Sequence, residues 1–400
     1  MWASLSHVER LHDVRLSERD LVAVSLPPGP EWLDLVDAVW DADAALFPVD
    51  PRLPPVAAAA LIRTAAPTVT LDPSGWTRRE DGQPVSAGVT LVVHTSGTAG
   101  EPKLVEFDRG AVNAAVASSA VALGATPQDP WLCCLPPAHI GGLLVLLRGA
   151  LLGAPVTVHT RFDPAAVAAE RDAVFTSLVP TMLGRLLDAE VDLARYRAIL
   201  VGGASLPATL RHRAEEVGVR IVETYGLTES CGGVVYDGAP LPGSEVRLDS
   251  EGGIELRGPT SMLGYRSDRV GTERAFTPDR WLCTGDVGEI GSDGRLRVVG
   301  RRDELIISGG EKVWPQEVER VLEAHPKVAE ALVHGTPDAE WGQRVVAFVV
   351  PANPAEPPTL EELRDAVAFE LPRHKAPREL LLVEQLPLTS SGKRSRRIGG

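Results

Sequence analysis

Residues 92–107 read VVHTSGTAGEPKLVEF, and the rest of the chain can be arranged around them. The first part is apolar and β-branched, which predicts a buried strand. The second part, Thr95 to Lys103, holds two glycines, three hydroxyl side chains and one lysine. Glycines let successive backbone N–H groups turn inward, and hydroxyl and ammonium groups add donors for an anion. The stretch therefore indicates a phosphate-binding loop after a strand, with a plain polar surface loop as the alternative.

The loop differs from the common phosphate-binding pattern G-x-x-x-x-G-K-[ST], because Lys103 follows Pro102 and precedes Leu104. Arginine supplies most of the 40 basic residues, and lysine is scarce. In such a chain a lysine beside a glycine-rich loop is more informative than usual. Lys103 offers a point charge that can reach a terminal phosphate.

The length and the net charge of the chain limit the class of protein that it can be. The chain has 400 residues, of which 44% are hydrophobic and 24% are charged, so a soluble protein of two or three domains is expected. The net charge of −14 argues against nucleic-acid binding and against an anionic membrane surface. An anionic substrate must therefore be attracted by a local basic site.

Cysteines and apolar runs indicate a cytoplasmic protein without stable membrane insertion. The four cysteines form no C-x-x-C pair, so neither a metal site nor a disulfide framework is expected. The charged N-terminus lacks the apolar centre of a signal peptide. The uncharged run from Pro130 to Leu147 is interrupted by Pro136, Pro137 and His139. A buried strand, a turn and a helix explain that run better than a membrane span.

Strands that alternate with helices over residues 21–72 predict an α/β fold with parallel sheets and helical cover. Residues 73–88 are polar and are expected to form a loop before the phosphate strand. The helix after the phosphate loop is predicted to span Arg109 to Leu123. The same alternation then resumes at residue 131 and continues to residue 226.

The sequence pattern changes in the last part of the chain. Residues 238–299 consist of short β segments separated by Gly, Pro and Asp, which predicts a β-rich subdomain. The stretch from Gly300 to Gly310 is the expected domain boundary. We therefore expect a large N-terminal domain of residues 1–301 and a small α+β C-terminal domain of residues 302–400.

Two polar clusters follow predicted strands. Gly202, Gly203 and Ala204 would let a flat ring approach the backbone, although a simple strand–helix turn uses the same residues. The second cluster is ETYGLTE, residues 223–229. Its tyrosine can stack on a base, its second threonine can bond a phosphate and Glu229 can hold Mg²⁺. A capped helix start is the alternative for this cluster.

Two further clusters lie downstream. Asp286 in the sequence TGD can accept hydrogen bonds from ribose hydroxyls if it follows a strand, and a β-turn is the equally simple alternative. Arg301 and Lys393 complete the set. A C-terminal lysine is ordinarily solvated, but Lys393 lies in TSSGK, a loop that could close over a reaction centre.

Taken together, these segments resemble the acyl-adenylate-forming enzymes. TSGTAGEPK, YGLTE, TGD, GRRDELIISGGE and the TSSGK lysine occur in the order of that superfamily, and the chain is similar to its acyl- and aryl-CoA ligases. The resemblance implies a small mobile C-terminal domain and two half-reactions. A carboxylate attacks the α-phosphate of MgATP, giving an acyl-adenylate and pyrophosphate. The C-terminal domain then rotates, and the thiol of coenzyme A displaces AMP.

The resemblance also implies roles for individual residues. The implied ATP-binding residues are Thr95, Ser96, Gly97, Thr98, Gly100, Lys103, Gly203, Ala204, Tyr225, Gly226, Thr228, Asp286 and Arg301. The implied catalytic residues are Lys103, Thr228, Glu229 and Lys393, and Mg²⁺ is expected on Glu229. Coenzyme A is expected to meet Ser308, Gly309 and Gly310. Asp303 matches the hinge, where the change in φ and ψ is absorbed.

The sequence departs from the superfamily in two respects. Ala99 stands where a threonine is usual and Leu104 where a glycine is usual, so the loop is expected to hold phosphate less tightly, although Lys103 is present. The segment before the loop is short. The resemblance therefore leaves a homodimer open but puts its N-terminal contact in doubt.

The candidate contacts for the acyl group are His139, Arg148 and Gly202. Relatives that activate amino acids carry an Asp in the run that matches LPPAHIGG, where this chain has His139 and no acid. An amino acid is therefore disfavoured. Arg148 lies in an apolar helical run, where a charge is costly unless paired. It snorkels to the surface, pairs with an acid of the protein, or clamps a second carboxylate of the substrate.

A closer resemblance favours the last interpretation. LPPAHIGGLLVLLRGALLGAPVTV, TSLVPTMLGRLL, LVGGASLP and SGGEKVWPQEVERV are similar to o-succinylbenzoate–CoA ligases of menaquinone biosynthesis, which are compact and carry an arginine at the position of Arg148. The alternatives are another aryl- or acyl-CoA ligase, an adenylating enzyme that loads a carrier protein, and a non-catalytic descendant. Intact Lys103, Glu229, Asp286 and Lys393 argue against the last.

Overall fold

The computed structural model describes residues 14–95 and 103–387. In this part of the chain, two mostly parallel sheets with helices come first. An antiparallel four-stranded sheet and a five-stranded sheet with its own helices follow. The predicted fold class, a large α/β portion followed by a β-rich portion and a smaller α+β portion, is confirmed.

The first sheet is built around β1 (Leu21–Val24), an apolar strand that is buried along its whole length. The other strands are β2 (Ala45–Pro48), β3 (Val69–Asp72), β4 (Gly75–Arg78), β5 (Val89–His94), β6 (Leu104–Asp108) and β16 (Gly264–Tyr265). They lie in the order β16-β6-β5-β2-β1-β3-β4. β1, β2, β3 and β5 run parallel, and the remaining strands pair antiparallel at the two edges.

The second sheet carries the cavity described below. Its strands are β7 (Trp131–Cys133), β8 (Val156–Val158), β9 (Phe175–Leu178), β10 (Ala198–Gly202), β11 (Ile221–Leu227), β12 (Gly232–Tyr236) and β13 (Ala239–Pro240). The order is β13-β12-β11-β10-β9-β7-β8, with parallel pairing from β8 to β11. The segments that follow β7, β9, β10 and β11 therefore meet at one edge of the sheet.

Helices cover both sheets. They are α1 (Glu31–Asp41), α2 (Pro55–Ala65), α3 (Arg109–Leu123), α4 (Ile140–Leu152), α5 (Pro164–Ala169), α6 (Pro180–Asp188) and α7 (Ala208–Glu216). The Asp108 carboxylate caps α3 by accepting from the N–H of Ala111 at 2.7 Å. Gly124 and Gly153 directly follow α3 and α4 and cap them, with φ of +62° and +70°. α3 and α4 pack on each other, which brings Ser119 of α3 next to Arg148 of α4.

The third sheet is antiparallel and has the order β14-β15-β17-β18. Its strands are β14 (Glu245–Leu248), β15 (Gly253–Arg257), β17 (Leu282–Ile290) and β18 (Leu296–Arg301), and α8 (Arg269–Ala275) lies between β16 and β17. Residues 238–299 also supply β13 to the second sheet and β16 to the first. The β-rich portion is therefore tied to both α/β sheets.

The fourth sheet has the order β20-β19-β22-β21, with β23 paired to β22. Its elements are β19 (Ile306–Ser308), β20 (Glu311–Val313), α9 (Pro315–Glu323), β21 (Val328–Asp338), β22 (Gly342–Pro351), α10 (Leu360–Glu370) and β23 (Glu379–Leu382). Thr359 and Glu362 form a capping box at the start of α10. Val318, Leu322 and Leu363 belong to a separate apolar core under this sheet.

Some local predictions were wrong or incomplete. The loop expected over residues 73–88 contains β4, which forms a hairpin with β3 and pairs Trp76 with Leu71. An aromatic residue followed by a threonine favours a strand, and this signal outweighs the surrounding polarity. α6 and the hairpin of β19 and β20 were not anticipated. The run from Pro130 to Leu147 forms β7, a turn and most of α4, as predicted.

No helix in residues 14–95 and 103–387 combines the length and the apolar character that crossing a bilayer requires.

Candidate active site

A cavity of about 170 Å³ opens at the carboxyl edge of the second sheet. Residues that follow β7, β9, β10 and β11 line it, together with α4 and β12. Ligands bind at this edge in open α/β sheets. The predicted site residues that the cavity brings together are His139, Arg148, Gly202, Gly203, Gly226 and Thr228.

Glycines make one wall of the cavity thin. A Cβ on Gly226 would overlap the carbonyl oxygen of Gly232, and a Cβ on Gly202 would overlap Oγ1 of Thr224. These positions accept glycine because any side chain would collide with a neighbouring strand. The strand ends therefore present bare backbone to the cavity, which suits close approach of a flat ligand.

Arg148 lies on α4 and is 2% exposed. Its Nη2 donates to Oγ of Ser119 at 2.8 Å, and its guanidinium lies 4.3 Å from the centroid of the Trp131 ring. Ser119 in turn is hydrogen-bonded to the Tyr236 hydroxyl at 2.8 Å. Among the described residues no acid pairs with Arg148, and its Nε and Nη1 have no hydrogen-bond partner.

Two earlier interpretations of Arg148 are therefore wrong. The side chain does not snorkel to the surface, and it has no acidic partner in the described part of the chain. Burial lowers the pKa of Arg148, yet a guanidinium stays charged in proteins. A buried cation with unsatisfied N–H groups is costly. Because this one lines a cavity, an anionic ligand would offset that cost.

Two imidazoles line the cavity near the start of α4. His139 precedes the helix, so Arg148 lies nine residues further on, about 13 Å along a helix axis. The rings of His139 and His94 have centroids 5.8 Å apart. His94 ends β5 and is buried, and its Nδ1 has no hydrogen-bond partner among the described residues. Burial lowers the pKa of His94 and the Asp50 carboxylate partly opposes this, so the imidazole is neutral near pH 7.

A second cluster joins β11 to the third sheet. The Tyr225 hydroxyl donates to Oδ2 of Asp286 at 2.9 Å, and Nε of Arg301 lies 3.9 Å from Oδ1 of the same carboxylate. Arg301 also donates to Asp303 at 3.2 Å. Burial raises the pKa of Asp286, although Arg301 lowers it. Burial, followed by the Asp286 charge, raises the pKa of Tyr225.

The position of Asp286 differs from the expected one. The carboxylate was expected just after a strand, but Asp286 lies inside β17 and is paired directly with Arg301 of β18. The short predicted strand is one end of a nine-residue strand, whose glycine at position 285 has φ of +76°. Ala204 is exposed after β10, next to Gly203, whose φ is +80°.

A third cluster lies at Lys103, the last residue of the phosphate loop. Thr228 and Glu229 lie in a 3-10 turn, Thr228–Ser230, which the Ser230 hydroxyl caps by accepting from the N–H of Leu227 at 3.0 Å. The Tyr265 hydroxyl donates to Oε1 of Glu229 at 2.9 Å. Nζ of Lys103 lies over the same tyrosine ring, 4.4 Å from its centroid. The predicted acid and lysine therefore share one aromatic neighbour.

The two ends of the phosphate loop are held together. The N–H of Thr95 donates to the carbonyl oxygen of Lys103 at 2.8 Å, and the N–H of Lys103 donates to Oγ1 of Thr95 at 3.3 Å. The predictions for Ser96, Gly97, Thr98, Ala99 and Gly100, and for the tail residue Lys393, lie outside the described residues.

The residues predicted for coenzyme A and for the hinge lie at the start of the fourth sheet. Asp303 belongs to a 3-10 turn, Arg302–Glu304. Ser308 ends β19 and is buried, while Gly309 and Gly310 form the turn into β20 with φ of +62° and +85°. The N–H of Gly309 donates to the carbonyl oxygen of Trp341 at 2.9 Å. These residues are not among those that line the cavity.

The donor set is compatible with Mg²⁺ bound together with a nucleotide. Within residues 14–95 and 103–387, no group of three or more His, Cys, Asp and Glu side chains could hold a metal by itself. Mg²⁺ is usually held by one or two carboxylates, substrate phosphates and water. A lone Glu229 beside the phosphate loop fits that pattern.

Four residues of these clusters were not predicted: His94, Ser119, Tyr236 and Tyr265. His94 stands directly before the phosphate loop, where its position could have indicated a role. Tyr265 follows a glycine in a β-rich stretch, which is a weak signal. Ser119 lies on an alanine-rich helix and Tyr236 on a β-strand, and nothing in either local pattern distinguishes them.

Two parts of the chain match known families of AMP-binding enzymes. Residues 73–266 match the AMP-binding enzyme family, and residues 317–393 match the C-terminal domain of AMP-binding enzymes. The N-terminal match contains the described phosphate-loop ends, the cavity residues and Glu229. The C-terminal match includes the position of Lys393.

Two relatives indicate which members of this family the chain resembles. A probable 2-succinylbenzoate–CoA ligase of Mycobacterium tuberculosis is 39% identical over 325 residues, which cover 78% of this chain and 84% of the relative. The 2-succinylbenzoate–CoA ligase of Bacillus subtilis is 35% identical over 334 residues, which cover 77% of this chain and 68% of the relative.

Solved structures agree with the sequence relatives. The o-succinylbenzoate coenzyme A synthetase of Bacillus subtilis, in complex with its acyl-adenylate intermediate, superimposes with a TM-score of 0.86. It is 29% identical, and the match covers 98% of this chain and 90% of that one. The same enzyme with ATP and magnesium ion gives a TM-score of 0.85. The chain therefore belongs to the family of AMP-binding enzymes that contains the 2-succinylbenzoate–CoA ligases.

Proposed function

We propose that this protein joins 2-succinylbenzoate to coenzyme A with ATP, through an acyl-adenylate, and releases AMP and pyrophosphate. The observation that supports the substrate is Arg148, a buried cation on the cavity wall whose Nε and Nη1 have no hydrogen-bond partner among residues 14–95 and 103–387. 2-Succinylbenzoate has two carboxylates, so one stays charged while the other is activated. An acid with a single carboxylate would leave the guanidinium unpaired.

The acyl site is proposed to run along α4. The carboxylate that is not activated accepts hydrogen bonds from Arg148, which Ser119 and Trp131 hold in place. Charge-assisted hydrogen bonds of this kind are about twice as strong as neutral ones. His139 and Gly202 line the same cavity and flank the rest of the acid. The carboxylate to be activated then faces the ends of β10 and β11.

For adenylation, two anions must approach each other, so positive charge has to be fixed beside them. We assign this role to Lys103 and to the hydroxyl and N–H groups of the phosphate loop. Thr228 is assigned a hydrogen bond to phosphate, and Glu229 would hold Mg²⁺. When bound, Mg²⁺ neutralises phosphate charge as the new bond forms.

The nucleoside half of ATP is assigned to the cluster around Asp286. Its carboxylate is held by Tyr225 and lies near Arg301, so its free lone pairs can accept ribose hydroxyls in a fixed geometry. Gly203 and Gly226 offer bare backbone at the strand ends and Ala204 adds only a methyl group, which suits the flat adenine ring.

The second half-reaction is assigned to the C-terminal portion. We propose that residues 302–400 turn against residues 1–301 about Asp303, and that Ser308, Gly309 and Gly310 then meet coenzyme A. The location of Asp303 between the third and fourth sheets supports this, since φ and ψ changes there would leave both sheets intact.

The proposal is tested by measuring coenzyme-A-dependent AMP release with a panel of acids. We expect 2-succinylbenzoate to be preferred over benzoate, malonate and amino acids in kcat/KM. A monoacid that matches or exceeds 2-succinylbenzoate would replace this substrate with another acyl-CoA ligase function. AMP release that requires an acyl carrier protein instead of coenzyme A would overturn the thiol acceptor.

Lys393 separates the two half-reactions. Because the resemblance places Lys393 at the reacting carboxylate before the domain turns, Lys393→Ala should abolish ATP–pyrophosphate exchange. The same variant should still convert supplied acyl-adenylate to thioester. Asp303→Pro, which fixes φ near −65°, should show the reverse pattern. Equal losses in both steps would contradict the roles assigned to Lys393 and Asp303.

A cytoplasmic location is part of the proposal and is supported by four free cysteines, three of which are buried. Fractionation of cells that express the chain checks this. Light scattering of the purified chain separates a monomer from the homodimer that the resemblance leaves open.

A further inference from the structure

The segment of residues 262–266, here called the bridging segment, connects the turn that carries Glu229 to the first sheet. The N–H of Met262 donates to the carbonyl oxygen of Glu229 at 2.9 Å. The N–H of Leu263 donates to the carbonyl oxygen of Glu106 in β6, also at 2.9 Å. At the other end, the N–H of Arg266 donates to the carbonyl oxygen of Leu104 at 2.8 Å, so backbone bonds fix the segment between the two halves of the candidate site.

Tyr265 is the residue of the bridging segment that faces both halves. Its hydroxyl donates to Oε1 of Glu229 at 2.9 Å. Its ring lies under the Lys103 ammonium, with Nζ 4.4 Å from the ring centroid. The backbone N–H of Tyr265 donates to Oγ1 of Thr272 at 2.8 Å, which fixes the residue from the α8 side.

The two charged groups that Tyr265 touches do not touch each other. Among the described residues no ion pair joins Lys103 and Glu229, although both approach the same tyrosine. An aromatic face attracts an ammonium without neutralising it. A phenol that donates to one carboxylate oxygen fixes the orientation of the other. The tyrosine thus keeps an acid and a cation close but separate.

We propose that Tyr265 is a positioning residue for MgATP. Its hydroxyl orients Glu229 toward the metal, and its ring keeps Lys103 available for phosphate instead of for Glu229. The inference rests on the proposed function, since it assumes that Glu229 holds Mg²⁺ and Lys103 holds phosphate. Partners that orient a metal ligand typically contribute about 10- to 100-fold in metal affinity or activity.

The test uses Tyr265→Phe, which keeps the ring and deletes the hydroxyl. Titration calorimetry measures binding of ATP with Mg²⁺ and binding of ATP in EDTA. We expect the Kd of MgATP to rise by about 10- to 100-fold. We expect the Kd of ATP in EDTA to change by less than about twofold, because the contact with Lys103 remains.

Tyr265→Leu removes both contacts and extends the test. For this variant we expect weaker ATP binding in EDTA as well, by about two- to tenfold, which is the effect of a lost cation–π contact. Tyr196→Phe is the matched control. Tyr196 is buried and its hydroxyl accepts a hydrogen bond from Arg195 at 3.1 Å, but it lies in an apolar core outside the site. Both ATP affinities should be unchanged there.

A double-mutant cycle with Glu229→Gln tests the route of the effect. If Tyr265 acts through Glu229, the losses in MgATP affinity from Tyr265→Phe and Glu229→Gln will not add. Additive losses would overturn the inference, and so would a Tyr265→Phe variant with the MgATP affinity of the wild type. A wild-type chain that binds no MgATP would overturn the proposed function and this inference together. The other two results would overturn this inference alone, so the two failures can be distinguished.

Discussion

The Arg148 end of the cavity and the Asp286 cluster hold their charges in opposite ways. Arg148 is buried beside a serine, a tyrosine and a tryptophan, and two of its nitrogens have no hydrogen-bond partner among the described residues. Asp286 is also largely buried, but it accepts from Tyr225 and lies 3.9 Å from Arg301. One charge lacks a counterion in the described structure, whereas the other has one.

The difference separates two kinds of binding site. A buried charge without a partner reduces stability until a ligand of opposite charge arrives, so it selects for that ligand strongly. A charge that is already paired and oriented is preorganised, and it uses its remaining lone pairs for recognition. We therefore expect Arg148 to decide which acid binds, and the Asp286 cluster to decide how well the nucleotide is held.

Arg148→Ala should have the largest effect. Removing one member of a buried charge pair costs about 2–5 kcal/mol, which corresponds to a loss of about 30- to 5,000-fold in kcat/KM for 2-succinylbenzoate. The KM for ATP should stay nearly constant, and a monoacid such as benzoate should be relatively spared. Arg148→Lys should recover part of the loss, because one ammonium cannot replace separate guanidinium donors. Equal losses for all acids would make Arg148 a structural residue.

Arg148→Met should stabilise the free protein. Replacing buried charges by apolar groups of similar volume is often stabilising, by about 1–4 kcal/mol. Ser119 and Tyr236 would still bond to each other. Denaturant unfolding without ligand should therefore give a higher free energy of unfolding for the variant. A variant less stable than the wild type would show that the guanidinium is satisfied in the free protein and would remove the contrast between the two regions.

Asp286→Asn should affect the binding of the nucleotide alone. A hydrogen bond to a charged group is worth about 1.5–3 kcal/mol, so the KM for ATP should rise by about 10- to 150-fold. The ratio of kcat/KM between 2-succinylbenzoate and benzoate should not change. Steady-state kinetics with both acids measures this. A change in acid preference would mean that the two regions are not independent.

His94→Gln should give the smallest effect, and one that depends on pH. Because burial lowers the pKa of His94 below its ordinary value of 6.5, the unfolded chain binds more protons than the folded chain. The free energy of unfolding of the wild type should therefore fall as the pH drops below that ordinary value. The variant lacks this contribution, so the wild type should lose stability relative to it as the pH is lowered. A pH-independent difference would mean that His94 titrates alike in both states.

Much of the fold follows from local pattern. Apolar runs at residues 21–24 and 198–202 form buried parallel strands, and the alanine-rich run from Arg109 to Leu123 forms α3 with the predicted bounds. These succeed because strand and helix periodicity depends on near neighbours along the chain. The hairpin of β3 and β4 was mistaken for a loop because polarity there was weighed above β propensity.

The sequence by itself also determined the kind of chemistry, because the glycine- and hydroxyl-rich loop with Lys103, the acid Glu229 and the carboxylate Asp286 occur together in the order of one superfamily. The tertiary structure alone decided what those groups touch. Arg148 meets Ser119, 29 residues away, and Ser119 meets Tyr236, 117 residues away. The contact of Tyr265 with Glu229 likewise depends on how the bridging segment joins two sheets. Burial and partnership arise from chain segments far apart in sequence, so no local pattern could have revealed that Arg148 has no counterion in the part of the chain that the structure describes.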